Sequence, residues 1–262
     1  MENYKPVTVI TGASGGIGEY LAYEFAAMGE DLLLVARSAD KLQTIAAKIE
    51  TQYSVNTSFL ALDLSEATAG EQLAEHLKQN EMQVRHLVNN AGFGLNGPMQ
   101  KLDRLEQLNM IDLNVRSLTD LSLRFLDEVA ANEGGILNVA STISFMAAPY
   151  MGVYGASKAY VLSFTEALSG EMKDRNVKIS AVCPGPTATG FGARSHMDRS
   201  DLFDHVPTMS AKDVAKIAFR DYMRRKTVIV TGISNKPLPY IIRLAPRWLT
   251  RLIVGKLMNT EK

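Results

Sequence analysis

The chain has 262 residues, 46% apolar and 21% charged, with 28 cationic and 28 acidic side chains that cancel to zero net charge. This is ordinary globular composition, at a length that suits one large α/β domain or two small ones. It excludes a disordered or low-complexity chain and a globally basic field for nucleic acid. The single cysteine, Cys183, excludes an intrachain disulfide and suits a reducing compartment, and His76, His86, His196 and His205 lack metal-ligand spacing, so no metal is expected.

In chain order, residues 7–10 (Val-Thr-Val-Ile) are apolar and β-branched and lead into a glycine-rich turn, which predicts a buried parallel strand. Residues 16–29 have helical spacing, with Ile17, Leu21, Phe25 and Met28 on one side. A second strand is predicted at 32–35, a helix at 39–52 and a third strand at 57–62. Further strands are expected at 84–88, 135–139, 177–183 and 228–230, with helical segments between them. Strands alternating with helices in this way indicate an α/β fold, a doubly wound parallel sheet of seven strands in one domain over residues 1–235. Lys236-Pro237-Leu238-Pro239 then breaks the pattern, and residues 236–262 form a basic, amphipathic C-terminal helical extension in which Pro246 separates two short helices. The first residues do not read as a signal peptide, and no apolar stretch of about 18 residues predicts a membrane-spanning helix.

The turn after the first strand, Thr11-Gly12-Ala13-Ser14-Gly15-Gly16-Ile17-Gly18, opens the first helix. Glycines there permit a sharp turn, close approach of a pyrophosphate and tight helix–sheet packing, while the helix N-terminus offers N–H groups to phosphate. Gly12, Ser14, Gly16, Ile17 and Gly18 are the candidate phosphate-loop residues. A flexible turn is the plainer alternative. The second strand ends in Val35-Ala36-Arg37-Ser38, with no carboxylate to meet ribose hydroxyls. Arg37 and Ser38 suit a 2′-phosphate instead, which predicts NADP(H) over NAD(H). Tyr154-Gly155-Ala156-Ser157-Lys158 puts a phenol and an ammonium one helical turn apart, a spacing expected to lower the Tyr154 pKa toward neutrality for proton exchange with a carbonyl or alcohol.

Together, the Thr-Gly-x-x-x-Gly-x-Gly loop, Asn89-Asn90-Ala91-Gly92 and Tyr154-x-x-x-Lys158 resemble the short-chain dehydrogenase/reductase family in order and spacing, over roughly residues 6–232. The resemblance implies a Rossmann-type fold and an NAD(P)-dependent oxidoreductase acting on CH–OH or carbonyl groups. It implies a catalytic set of Asn114, Ser141, Tyr154 and Lys158. Ser141 lies 13 residues before Tyr154 and resembles the serine that meets the substrate carbonyl, with Thr142 and Ser144 ranked lower. Asn114 resembles the asparagine that holds a relay water, or else merely satisfies backbone groups. By the same resemblance Asp63 meets the adenine ring, and Asn90, Ala91 and Gly92 line the adenosine ribose side. Pro184, Gly185, Thr187 and Thr189 meet nicotinamide and pyrophosphate, and Lys158 holds the nicotinamide ribose.

The implied reaction is NADPH-dependent reduction of a small-molecule ketone or aldehyde, reversible, with an apolar substrate in view. NAD-dependent alcohol oxidation and a catalytically silent dinucleotide-binding regulator are the alternatives. A homo-oligomer through the helical regions 101–131 and 151–173 and a cytoplasmic location also follow from the resemblance. Residues 190–209 fall where the family carries a substrate lid, with Phe191, Met197, Leu202, Phe203 and Val206 facing an apolar ligand, or His196, Arg199 and His205 a polar one; a simple surface insertion is the equal alternative. Cys183, at the end of an apolar strand, reads as a packed, unreactive thiol. The extension holds six cations and one acid, so the zero net charge is a cancellation of −5 in residues 1–235 by +5 in residues 236–262. Arg243, Arg247, Arg251 and Trp248 suit either packing on the body or across a dimer, or peripheral contact with the inner membrane surface.

Overall fold

Valine-, isoleucine- and leucine-rich segments form the central strands, which are buried on both faces. The computed structural model describes residues 4–189 and 208–259. The strands are β1 (Lys5–Thr11), β2 (Leu32–Ala36), β3 (Thr57–Ala61), β4 (Met82–Asn89), β5 (Gly135–Val139), β6 (Lys178–Cys183), the short β7 (Thr187–Ala188) and β8 (Met209–Ser210), and β9 (Val228–Val230). Seven of them make one parallel sheet in the order β3-β2-β1-β4-β5-β6-β9, and β7 pairs with β8 apart from it.

Successive side chains of a strand point to opposite faces. Ile10, Leu32, Leu34, Val88 and Leu137 therefore pack under α1 (Gly16–Ala27), α2 (Ala39–Tyr53) and α8 (Ala211–Met223), against Leu21, Phe25, Leu42, Ile49 and Tyr222. Val7, Val9, Leu33, Val35 and Ile136 pack on the other face under α3 (Ala69–Gln79), α5 (Leu118–Arg124), α6 (Leu126–Ala131) and α7 (Gly152–Glu171). Each leucine or phenylalanine so buried contributes about 1.5–3 kcal/mol. The doubly wound sheet expected from the alternation of strand and helix patterns is the one formed.

Two departures from regular structure bear on the site. The helix that starts at α4 (Arg104–Ile111) widens into a π-turn over Asp112–Ser117 before α5, and Asn114 sits in it. A polar ladder crosses the core below the strand ends. Asn89 Nδ2 donates to Asn138 Oδ1 at 2.9 Å and to Ser122 Oγ at 3.0 Å, and Asn138 Nδ2 donates to Thr165 Oγ1 at 2.9 Å. It joins β4 and β5 to α5 and α7, which carry residues flanking the site.

In the extension, Pro237 precedes α9 (Leu238–Leu244), and Pro246 caps α10 (Arg247–Met258), the helix break that Pro246 predicts. The buried residues of α10 are Thr250, Val254 and Met258, one per turn on one face.

Candidate active site

All seven strands run parallel, so their C-terminal ends share one edge of the sheet. Going outward from β1, the chain's strand order turns one way to β2 and β3 and the other to β4, β5 and β6. That reversal opens a crevice between the loops after β1 and β4, the usual ligand site of such sheets. The loops after β1, β2, β3, β4, β5 and β6 all emerge on this edge, and they carry every candidate outside the helices.

The β1–α1 loop is shaped by its glycines. Gly12 and Gly16 have φ of 64° and 60°, left-handed values that cost a side chain energy. A Cβ on Gly12 would come within 2.8 Å of the Ala91 Cα, and one on Gly18 would collide with the Asn90 amide. A Cβ on Gly15 would meet nothing within 4 Å, so the loop is closed toward β4 and open on its outer side. Gly15 caps α1 with no side-chain bond, which leaves the first-turn N–H groups to an anion. Ser14 and Ile17 are half-buried beside it. An open backbone cradle at a helix N-terminus fits the pyrophosphate of a dinucleotide.

Thr11 and Asn90 hold that cradle. The Thr11 hydroxyl donates to Val88 O at 3.1 Å and accepts from the N–H groups of Asn90 and Ala91, both at 3.0 Å. Asn90 Nδ2 donates to Thr11 O at 3.0 Å and Gly12 O at 3.1 Å. The side chain of Asn90 is thus turned into the protein, binding the β1 and β4 loops together. Gly92 lies against Asn114 and Lys158, where a Cβ would be 2.9 Å from Asn114 Oδ1 and 3.4 Å from Lys158 Nζ. On the far side Gly16 faces Thr189, whose Cγ2 would lie 3.2 Å from an added Cβ. Thr187 Oγ1 donates to Gly185 O at 2.9 Å, and Pro184 O accepts from Thr142 N at 2.9 Å, which draws the loop after β6 onto the one after β5.

Arg37 and Asp63, assigned separately to a 2′-phosphate and to adenine, face each other. Arg37 Nη1 is 3.7 Å from Asp63 Oδ2, with the two side chains 56% and 39% exposed. Asp63 Oδ1 also accepts from Ser65 N and Oγ at 3.0 and 2.7 Å. Ser38 is the N-cap residue of α2, and its side chain makes no capping bond.

Tyr154 and Lys158 lie on the first two turns of α7 and are both buried. Ser141, at the end of β5, caps the short 3-10 turn Thr142–Phe145. Its hydroxyl lies 3.5 Å from Pro184 O and 3.3 Å from Ile143 N. Lys158 Nζ sits 5.9 Å from the centre of the Tyr154 ring and donates to Val139 O at 2.7 Å. Burial pushes the Tyr154 hydroxyl up to about 12, against the pull of a hydrogen bond with the Ser141 side chain. Burial likewise brings Lys158 down to about 8. This corrects the expectation that Lys158 draws the phenol toward neutrality. In the folded chain the loss of solvent is the larger cause, and the Lys158 ammonium is engaged by a strand carbonyl.

Asn114 is committed on both sides of its amide. Oδ1 accepts from Phe93 N at 3.1 Å, while Nδ2 donates to Phe93 O at 2.9 Å and to Ser157 Oγ at 3.1 Å. Ser157 in turn donates to Tyr154 O at 2.7 Å. Sequence reasoning gave no role to Ser157, although it stands inside the Tyr154–Lys158 interval, nor to Thr11. Ser144, ranked low, donates to Lys158 O at 2.8 Å and accepts from Ser141 N at 3.3 Å, so it braces two of the candidates without entering the site. Cys183 is fully buried, and burial pushes its thiol up to about 12, as suits a packing residue. One wall beside Tyr154 is apolar, built from Phe93, Leu95, Met110, Ile143, Met151 and, from α10, Val254 and Met258. The lid candidates Phe191, His196, Met197, Arg199, Leu202, Phe203, His205 and Val206 lie outside the described residues. A cavity of about 240 Å³ at the opposite, N-terminal ends of the strands, lined by Lys5, Asp31, Glu50, Asn56 and Met82 among others, contains none of the candidates.

The family description "short chain dehydrogenase" matches residues 6–200. The chain is 32% identical over 220 residues to "Sulfoacetaldehyde reductase 2" of Chromohalobacter salexigens, covering 81% of this chain and 86% of that one. It is 27% identical over 238 residues to "7beta-hydroxysteroid dehydrogenase" of Clostridium sardiniense, covering 90% of each. Among solved structures it is similar to a short-chain dehydrogenase from Sphingobium yanoikuyae in complex with NADPH, with a TM-score of 0.78 and 28% identity over 87% of this chain and 88% of that one.

Proposed function

The chain belongs to the short-chain dehydrogenase family, and on that premise we propose that it reduces an apolar ketone or aldehyde to the alcohol with NADPH. The observation that carries the proposal is the meeting of Ser141, Tyr154 and Lys158 beside the apolar wall of Phe93, Leu95 and Met151 at the mouth of the glycine cradle.

The β1–α1 loop, with Gly12, Ser14, Gly16, Ile17 and Gly18, would hold the pyrophosphate, and Arg37 and Ser38 the 2′-phosphate. Asp63 and the segment 90–92 would lie along the adenosine. Pro184, Gly185, Thr187 and Thr189 would lie along the nicotinamide end. When bound, NADPH supplies hydride to the carbonyl carbon. The protein's own part is the oxygen. The hydroxyls of Ser141 and Tyr154 donate hydrogen bonds to the carbonyl oxygen, and these strengthen as negative charge grows there. Tyr154 then passes its proton to that oxygen. A phenol held near 12 is fully protonated at neutral pH, which suits a proton donor in the reductive direction. Lys158 offers a cation to the phenolate that remains and a donor to the ribose. Asn114 acts as a positioning residue, fixing Phe93 and Ser157 beside Tyr154, and a water held there would return the proton from solvent.

A preference for NAD(H) is the second reading, favoured by the pairing of Arg37 with Asp63. The cytoplasmic homo-oligomer remains part of the proposal. Leu105, Leu108, Ile111 and Leu123, exposed on α4 and α5, support a subunit contact there. Among the described residues no helix is long and apolar enough to cross a membrane.

The test is Tyr154→Phe, followed by NADPH absorbance across a panel of ketones and aldehydes that includes long-chain and steroid-like compounds. Turnover is expected to vanish while NADPH binding, measured by fluorescence titration, persists. Near-normal turnover in the variant would sink the mechanism.

A further inference from the structure

The catalytic reading leaves the outer face of the C-terminal extension unused. Between Asp221 and Glu261 the chain has no acidic residue, while Lys236, Arg243, Arg247, Arg251 and Lys256 fall in its described helices and turns. All five are exposed, and none takes part in an ion pair among the described residues. Large apolar side chains stand out between them. Tyr240, Ile241 and Leu244 share one side of α9, at spacings of three and four residues, and Leu244 is 87% exposed. On α10, Trp248 and Leu252 are one turn apart on the side away from the buried Thr250, Val254 and Met258, with Ile253 at its edge. Trp248 is 62% exposed.

Exposed leucines, isoleucines and an indole clustered in one short segment are not the ordinary surface of a monomer, where such residues stand singly. The occupant of this face must take up apolar side chains and also neutralise several cations. A second copy of the same face does the first and fails the second. A two-fold contact would set five cations against five with no carboxylate between them. An anionic bilayer surface does both, since lipid head groups carry the negative charge and the acyl boundary accepts the indole and leucines.

We infer that α9 and α10 form a docking surface for anionic lipid, with Tyr240, Ile241, Leu244, Trp248 and Leu252 entering the interface and Arg243, Arg247 and Arg251 meeting phosphate head groups. The helix that carries Trp248 and Leu252 outward carries Val254 and Met258 inward, into the wall beside Tyr154. Docking therefore sets the apolar wall of the site one helix away from the lipid. The docking stands on the exposed face alone and does not depend on the proposed reaction.

Trp248 is the chain's only tryptophan, so its emission reports on this face directly. The full-length protein is mixed with sucrose-loaded vesicles of phosphatidylcholine alone and of equal parts phosphatidylcholine and phosphatidylglycerol. Sedimentation with the anionic vesicles is expected to exceed that with the neutral ones at least about tenfold, given the pull of each basic residue near a charged surface. Trp248 emission is expected to shift to the blue on binding, and high salt should reverse both effects. The variants Arg247→Glu/Arg251→Glu and, separately, Leu252→Ser should each lose the sedimentation with an unchanged thermal midpoint. Should the double variant fail to fold, the salt reversal and Leu252→Ser still decide the matter. Equal sedimentation on both vesicle types, or none on either, overturns the inference. So does an emission already blue in lipid-free protein that moves to the red on dilution, which would assign the face to a second copy.

Discussion

Arg37 holds Asp63 at 3.7 Å across a half-exposed gap, and a 2′-phosphate would compete for the same guanidinium. An ion pair this exposed contributes about 0–1 kcal/mol, because solvent screens it and two side chains must be held in place. Charge-assisted hydrogen bonds from Arg37 to a phosphate contribute about 1.5–3 kcal/mol. Releasing Asp63 consumes part of that, which leaves a net preference of about 1–2.5 kcal/mol for the phosphorylated cofactor. At about 1.4 kcal/mol per tenfold, Arg37→Ala should lower kcat/KM for NADPH by roughly fivefold to sixtyfold. For NADH the change should stay within about threefold, since only a weak surface pair is lost. Initial rates with one ketone at subsaturating concentrations of each cofactor measure both values. An equal fall with both cofactors would make Arg37 a support for the loop rather than a reader of phosphate. An unchanged NADPH value would refute the assignment outright. Asp63→Asn supplies the converse, because it frees Arg37 while preserving an acceptor for Ser65, and it should raise the NADPH-to-NADH ratio.

Two further outcomes rest on other parts of the molecule. Gly12→Ala forces a side chain into a left-handed φ of 64° and within 2.8 Å of the Ala91 backbone. Isothermal titration should show NADPH affinity reduced by about fivefold or more, as backbone strain near 1–3 kcal/mol implies, and an unaltered affinity would mean the cradle is not the phosphate site. His86, buried with Nδ1 2.7 Å from the Tyr222 hydroxyl, is brought down to about 3 from 6.5, mainly by burial. The unfolded chain binds a proton there below about 6.5 and the folded chain does not, so this contribution to stability is complete above pH 6.5 and is lost as pH falls toward 3. Glu30 is raised by burial and acts in the opposite sense, so the comparison must cancel it. Urea unfolding at pH 7 and pH 5 should show a steeper loss in the native sequence than in His86→Leu, by at most about 1.4 kcal/mol per pH unit. Identical slopes would place the His86 pKa near its ordinary value.

The features legible without coordinates were those encoded over short spans. Apolar, β-branched runs marked the seven strands to within a few residues, because burial on both faces favours apolar side chains at most positions. The interruption of such a run also carried a signal that went unused. Asn138 is the polar residue of the otherwise apolar segment Gly135–Val139, and it proves to be the centre of the buried ladder. Pro246 marked the start of the second helix in the extension, because proline lacks the N–H that a helix interior requires.

Pairings between distant segments were not legible. Nothing in the spacing of Arg37 and Asp63 says that the loops after β2 and β3 bring them together. The sequence leaves open whether Asn114 holds a water or satisfies backbone groups, and it places Asn90 on the adenosine side without saying where its amide points. Their amides hold the Gly12 loop and the Phe93 backbone, and that arrangement depends on a sheet order and a π-turn assembled from remote residues. The ionisation of Tyr154 is the sharpest case. Its four-residue separation from Lys158 is local, and from the sequence it argued for a lowered pKa. In the folded chain burial favours the neutral phenol, and the surroundings that exclude water include Phe93, Met110 and Val254, from three separate parts of the chain. The sequence by itself determined the family and the elements, since these rest on residue type and short spacing. Tertiary structure alone decided which polar groups are spent on one another and how strongly each holds its proton, since desolvation and Coulomb energies depend on neighbours that only folding supplies.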